Sequence, residues 1–506
     1  MVDDSELSDL TVAAYHDRLR DGRLTVESVV EQYLDRIERY DRSGPELNAI
    51  LTVNPEALDR ARALDDRLEA VEVGGSLYGV PVLIKDQAMT EGVTTTFGSE
   101  AFAEYVPDRN ATVVDRLEDA GAVVLAKTNL PDFAAGFVGY SSAGGQTRNP
   151  YDLERDAGGS SAGTGSGIAA NLGLVGIGED TGGSIRVPAS FCNLFGLRVT
   201  TGLISRAGLS PLVTEQDTAG PMCRTVEDLA RTLDAIVGFD PDDEATAIHA
   251  AWDGARGFRA AADAADRSTL ASTRIGVLRD AFGDDSRAMP VTEVVDAALE
   301  TMTEAGATVV DPVSIPDLAS FVDDTALYEL VAKRNLNAFF AELTDSPVDS
   351  LDELYDSGAY HDRLELIETI AGGPTDPTGD REYWWRLARQ TAFRRAIEYT
   401  LATTELDAIA FPDVQVVPPI AEGYHTGETT RADVPTNTFI ASQSGCPAIS
   451  MPAGFTDDGL PVGIELLGAP LSDRRLVALA AAYESIAEPR VPPVLDATDT
   501  IDGERP

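Results

Sequence analysis

Lysine is almost missing from this chain. There are three in 506 residues, Lys85, Lys127 and Lys333, and every other fixed cation is arginine. Cations of both kinds number 39 against 85 Asp and Glu, a formal net charge of −46 at pH 7. Such a polyanion is a poor partner for nucleic acid, because neutralising phosphates needs cationic surface. It also repels itself at low salt. At molar salt the Debye length shrinks to roughly 3 Å and the repulsion is largely screened. The acidic excess is therefore read as adaptation to a concentrated-salt cytoplasm.

Cysteine and histidine are nearly as scarce. Cys192, Cys223 and Cys446 are an odd, small set in apolar or small-residue contexts. They argue against a disulfide framework and read as small buried residues. The histidines are His16, His249, His361 and His425. None stands beside a Ser or Cys in a nucleophile motif, and His16 and His361 sit in charged helical stretches where a solvated side chain is expected. A Ser-His-Asp triad, which is assembled in space, gets little support. No His/Cys/Asp grouping has zinc spacing. A mechanism without metal or cofactor is expected. A long apolar run is missing too: residues 158–178 carry no charge but are too rich in Gly and Ser to cross a membrane. The N-terminus is acidic and amphipathic, without the cationic start and apolar core of a signal peptide. The expected location is cytoplasmic, with no membrane contact.

The periodicity points to α/β architecture. Residues 5–72 read as helices, with Thr25 as an N-cap for TVESVVEQYLDRIERYD. Residues 78–84, YGVPVLI, form a strand-type run ending at Lys85, and ATVVDRLEDAGAVVLAKTN reads as helix, Gly turn, strand. A stretch rich in Gly, Ser and Thr over 136–208 must make tight turns and close approaches. Residues 225–238 read as a helix, 239–272 as an acidic surface insertion, and 273–280 as a strand. LDAIAFPDV, CPAISMPAGF and LPVGIELLGAP look like further strands, and Ser472 is the expected cap of a closing helix. No linker interrupts this alternation. The expected fold is a single large domain with a central mixed sheet covered by helices on both faces. Within it, 1–72 are N-terminal helices, 73–240 a catalytic core, 241–400 a variable helical region, 401–489 the rest of the core, and 490–506 an acidic tail.

Two segments and one lysine carry chemistry. GGSSAGTGSG (158–167) lacks the Lys of a phosphate-binding P-loop. In EDTGGSIRVP (179–188) a serine follows two glycines, so the N–H groups of Thr181, Gly182, Gly183 and Ser184 can curl into an anion-binding nest. A nest beside a nucleophile is an oxyanion hole. Lys85 has two readings. It can be half of an ion pair with Asp86 or another buried carboxylate, or it can be a neutral base. An ordinary lysine is unprotonated in about 1 molecule in 2,500 at pH 7, so neutrality needs a shift of about 3.4 units. Burial can supply that. An ammonium buried against a carboxylate would leave the second reading without its base.

Taken together, the block from Gly158 to Met222 and the run GVPVLIKD (79–86) resemble the signature block and the lysine motif of the amidase signature family. Lys85 and Ser160 are 75 residues apart and Ser160 and Ser184 24 apart, which fits the family pattern. The similarity is weakest over 239–400. It implies a Ser-cisSer-Lys triad: Ser184 as nucleophile, Ser160 as bridging serine after a cis bond from Gly159, Lys85 as base, and Ser161 helping to hold the lysine. It further implies an oxyanion hole at 181–184, a substrate-lining loop at Gly136, Phe137 and Val138, a small-molecule amide as substrate, and pairing as a homodimer. Asp180 and Arg186 read as ties for the loop. Trp384 and Trp385 read as core or pocket wall. The family also contains the glutaminase components of tRNA-linked amidotransferases, their A subunits, which usually carry an arginine-rich motif and a glutamine-binding aspartate in the C-terminal half. Neither has a clear match: Asp433 is offset, and SIRVPA differs from the SIRQPA of that branch.

Overall fold

A computed structural model describes residues 7, 10–68, 76–252 and 257–495. The expected ends of the N-terminal helical region, at 1–6 and 69–72, and the tail beyond 495 lie outside the described residues.

Eleven strands form one central sheet. In chain order they are β1 (Ile50–Val53), β2 (Pro81–Lys85), β3 (Val123–Thr128), β4 (Val175–Glu179), β5 (Phe195–Arg198), β6 (Ala219–Cys223), β7 (Arg274–Leu278), β8 (Thr308–Val313), β9 (Ala408–Pro412), β10 (Ala448–Phe455) and β11 (Pro461–Leu467). Their spatial order is β1-β3-β2-β4-β6-β5-β10-β11-β9-β7-β8. The pairs β3/β2, β2/β4, β9/β7 and β7/β8 are parallel. The other pairs are antiparallel, so the sheet is mixed. Along β2, β4, β6 and β11 every residue is buried. Successive side chains point to opposite faces, so a strand buried throughout is covered on both sides. That is why YGVPVLI reads as an unbroken apolar run and LPVGIELLGAP as one broken only by Glu465.

Local signals explain several elements. Thr25 caps the Val26–Arg36 helix by accepting from Ser28 N–H in a capping box. Ser472 stands at the cap position of the Asp473–Ala487 helix but makes no capping bond. The structure also departs from the sequence reading. Strand β1 lies inside the region read as helices. The strand expected at 273–280 is β7, and β8 adds a strand that was not expected in the 241–400 region; β8 is an edge strand with an irregular burial pattern, which blurs its alternation. The 239–272 stretch is more than a surface insertion, because Phe258 and Leu270 within it are buried.

The topology sets the site. Parallel neighbours β2 and β4 pair through Ile84 and Ile177, so their C-terminal residues, Lys85 and Glu179, emerge at the same edge. Crevices at the carboxyl ends of strands are where open α/β sheets bind ligands. Among the described residues no helix is long and apolar enough to cross a membrane.

Candidate active site

Lys85 ends β2 with its side chain 2% exposed. Its Nζ donates to Ser160 Oγ at 2.7 Å and to the Glu179 carbonyl at 3.3 Å. Ser160 lies just before the Ala162–Ala169 helix, and the Gly159–Ser160 peptide bond is cis. Gly159 has no room for a side chain: a Cβ there would overlap the Val138 carbonyl and lie 2.6 Å from the Val138 nitrogen. The serine loop therefore packs directly on the backbone of the 136–138 loop. Asp156 ties the two together, accepting from Gly139 N–H at 2.9 Å and Gly158 N–H at 2.7 Å.

Ser184 sits just before the short Arg186–Phe191 helix, and its carbonyl accepts from Ser161 N–H at 3.1 Å. Its hydroxyl lines a cavity of about 700 Å³ and makes no hydrogen bond among the described residues. Direct contact in the Lys85, Ser160, Ser184 trio thus exists between the first two. Ser184 is held to the same loop through backbone, and catalytic hydrogen bonds commonly tighten only with substrate. The N–H groups of Thr181, Gly182, Gly183 and Ser184 donate to no acceptor among the described residues. Four free donors in a row suit a developing oxyanion. Ser161 does not touch the lysine. Its Oγ accepts from Glu179 N–H at 3.3 Å and donates to the Glu179 carbonyl at 3.2 Å, so it reaches Lys85 through Glu179.

A buried ion network fixes the 180–186 turn. Asp180 accepts from Arg186 Nε at 3.1 Å, Arg186 Nη2 at 3.0 Å, Arg198 Nη1 at 2.9 Å and Ile185 N–H at 3.2 Å. Arg186 also donates to Glu465 at 2.7 Å. Burial alone would raise the Asp180 carboxyl; the Arg186 and Arg198 guanidiniums outweigh it and hold it at about 2.

Asp86 belongs to Lys127, at 2.8 Å, both side chains fully buried. The carboxylate beside Lys85 is that of Glu179, its Oε2 3.3 Å from Nζ. Sequence reasoning did not single out Glu179. Its signal was an acid closing the apolar strand VGIGE. Burial pushes the Lys85 amine down, against the pull of Glu179, and pushes the Glu179 carboxyl up.

Gly136, Phe137 and Val138 line the same cavity as Ser184 and Thr181. Two further wall residues, Tyr328 and Arg431, had no sequence signal. Tyr328 stands over the oxyanion loop, where a Cβ on Gly182 would overlap its hydroxyl and lie 3.0 Å from Phe439 Cε1. Phe137 meets Phe439 edge-on at 5.5 Å, and the Arg431 guanidinium lies over that ring at 5.3 Å. The tryptophans are neither core nor wall: Trp384 and Trp385 are 55% and 47% exposed and absent from the lining. His16, expected to be solvated, is buried against the Tyr78 carbonyl, and burial lowers its imidazole to about 4. No histidine lines the cavity. Among the described residues no group of three or more His, Cys, Asp or Glu could hold a metal ion.

The chain and its fold are similar to those of known proteins. The model of the amidase family matches residues 28–477, and the chain belongs to that family. It is therefore an enzyme acting on amide carbon–nitrogen bonds. The chain is 32% identical over 495 residues to the A subunit of the glutamyl-tRNA(Gln) amidotransferase of Synechococcus sp. (strain JA-2-3B'a(2-13)), spanning 94% of this chain and 91% of that one. Its fold resembles the native peptide amidase of Stenotrophomonas maltophilia, with a TM-score of 0.85, 34% identity, and 97% and 99% of the two chains covered. It also resembles the corresponding glutamyl-tRNA(Gln) amidotransferase component of Thermotoga maritima, with a TM-score of 0.73, 27% identity, and 98% and 100% covered.

Proposed function

We propose that this protein is a stand-alone amidase that hydrolyses a small-molecule carboxamide to the carboxylate and ammonia or an amine. Ser184 Oγ attacks the amide carbon, and its proton passes through Ser160 to the neutral amine of Lys85. The 181–184 N–H groups stabilise the oxyanion. The proton then returns through Ser160 to the leaving nitrogen, and water deacylates the ester. The observation that carries this reading is the 2.7 Å Lys85–Ser160 contact beside four unpaired N–H donors. Over the 181–184 loop the wall is aromatic, with Phe137 and Tyr328 against Gly182. That favours an amide with an apolar acyl group.

A second reading is the glutaminase component of a tRNA-linked amidotransferase, favoured by the name of the curated relatives. Against it, Asp433 is tied to Thr430 and Arg287 and does not line the cavity. The fold is also more similar to the peptide amidase than to the Thermotoga protein. An amide panel assayed in molar KCl decides. Hydrolysis by the isolated chain is expected. Lys85→Ala should cost about 10²–10⁴-fold in kcat, and Ser184→Ala more, both with unchanged melting. Glutaminase activity only in the presence of a co-purifying partner would favour the second reading. Near-normal turnover by Lys85→Ala would falsify the proton relay.

A further inference from the structure

Thr181 Oγ1 stands between two acids. It lies 2.6 Å from Asp217 Oδ1 and 3.0 Å from Glu179 Oε1, and all three side chains are buried. A threonine hydroxyl has one proton to donate. With both acids ionised, one carboxylate oxygen would face the hydroxyl lone pair to lone pair at hydrogen-bond distance. The conflict disappears when one acid is protonated and donates to Thr181.

The surroundings decide which acid that is. Asp217 already accepts Leu212 N–H at 2.9 Å and Val213 N–H at 3.1 Å. Such donors favour the ionised form, and 2.6 Å is the length of a hydroxyl donating to a carboxylate. Among the described residues the Glu179 carboxyl receives no backbone N–H. Its Oε2 is 3.3 Å from Lys85 Nζ, longer than the roughly 2.7–2.9 Å of an ammonium–carboxylate bond. The charged and titratable groups facing Glu179 are Lys85 on β2, Asp180 beside it in the chain, Asp217, Arg198 on β5 and the Tyr328 phenol. Asp180 is matched by two arginines; burial pushes Asp217 up too, but the Thr181, Leu212 and Val213 donors and the Arg206 charge favour its anion, which disfavours a second one at Glu179.

Given the assignment of Lys85 as base, we propose that Glu179 is a positioning residue whose carboxyl holds the proton that would otherwise charge Lys85. One proton moves from Nζ to the carboxylate, so an ion pair becomes an amine and an acid with no net change in charge. Glu179 then donates through Oε1 to Thr181 and accepts through Oε2 from the amine. Burial acts in the same direction on both partners. A neutral Glu179 has a second effect: the ammonium formed during acylation has no carboxylate to trap its proton, which stays available for the leaving nitrogen.

The test is the pH dependence of kcat for the full chain on its best simple amide in molar KCl. Glutamine copies the protonated acid in having one donor group and one acceptor oxygen without a charge. Glu179→Ala should lower kcat about tenfold or more, and Glu179→Gln should recover most of that loss with its acid limb at the wild-type pH. If Glu179 were ionised, removing the anion would ease deprotonation of Lys85. Both variants would then move the acid limb a unit or more to lower pH, and glutamine would not rescue. That result overturns the proposal. If Glu179→Gln fails to fold, Thr181→Val decides. Loss of the hydroxyl acceptor should let Glu179 ionise and move the limb to higher pH, and an unmoved limb overturns the proposal. Lys85→Ala separates the two levels. Retained turnover there sinks the base assignment and this inference with it. A dead Lys85→Ala with a shifted Glu179→Gln limb sinks the inference alone.

Discussion

Gly183 adopts φ +138°, and a Cβ on it would overlap Thr438 Oγ1 and lie 2.5 Å from Thr438 Cβ. Thr438 cannot simply step aside, because its hydroxyl donates to the Gly182 carbonyl at 2.6 Å. Gly183→Ala therefore meets three costs. A non-glycine residue at such a φ costs about 1–3 kcal/mol. Overpacking adds about 1–3 kcal/mol, and losing the Thr438 hydrogen bond about 1 kcal/mol. The least constrained response is movement of the 181–184 loop, whose N–H groups have no other partner. Misaiming one oxyanion donor costs about 10²–10³-fold in kcat. The assay is kcat and KM on the best amide in molar KCl, with a thermal melt to show that the fold persists. The double variant Gly183→Ala/Thr438→Gly removes the overlap and leaves the φ cost and the loss of the Thr438 hydrogen bond, so it should regain at least about tenfold, equal to ~1.4 kcal/mol. A Gly183→Ala enzyme with kcat within about threefold of wild type would refute the reasoning. A double variant no faster than the single one would show that overlap is not the cause.

Asp180→Asn should lose about 3–5 kcal/mol in urea unfolding at pH 7, because it leaves the buried Arg198 without a carboxylate and Arg186 with Glu465 alone; a loss under about 1 kcal/mol would contradict the ion-network account. The folded Asp180 pKa of about 2 lies below the unfolded value. Its contribution is therefore present above about pH 4 and lost as pH falls through 2, and the variant should unfold with a flatter acid limb than wild type. The net charge of −46 predicts that raising KCl from about 0.1 to 1 M, which cuts the Debye length from about 10 to 3 Å, raises the melting temperature. A salt-independent melt would remove the case for salt adaptation.

Much of the central sheet was readable because its strands are covered on both faces and so appear as short apolar runs. YGVPVLI and LDAIAFPDV became β2 and β9 for that reason. Edge strands β1 and β8 are partly exposed, carry no such run, and fell in regions read as helical. His16 misled in the same way. Its neighbours in sequence are charged, but the face it occupies packs on the Tyr78 carbonyl.

By itself the sequence determined the kinds of chemistry available: one lysine behind an apolar strand, two serines in glycine-rich loops, and a scarcity of His, Cys and other cations. Glycine spacing also carried the family resemblance, because close backbone approaches leave a mark in residue type. Which acid faces Lys85 was decided only by the tertiary structure. Asp86 is adjacent in the chain, yet the pleat sends it to Lys127, while parallel pairing of β2 with β4 brings Glu179 from 94 residues away. The cavity wall was settled in the same way, since Tyr328 and Arg431 come from distant segments. Contacts across a sheet depend on strand order and register, and neither is written in any local run of residues.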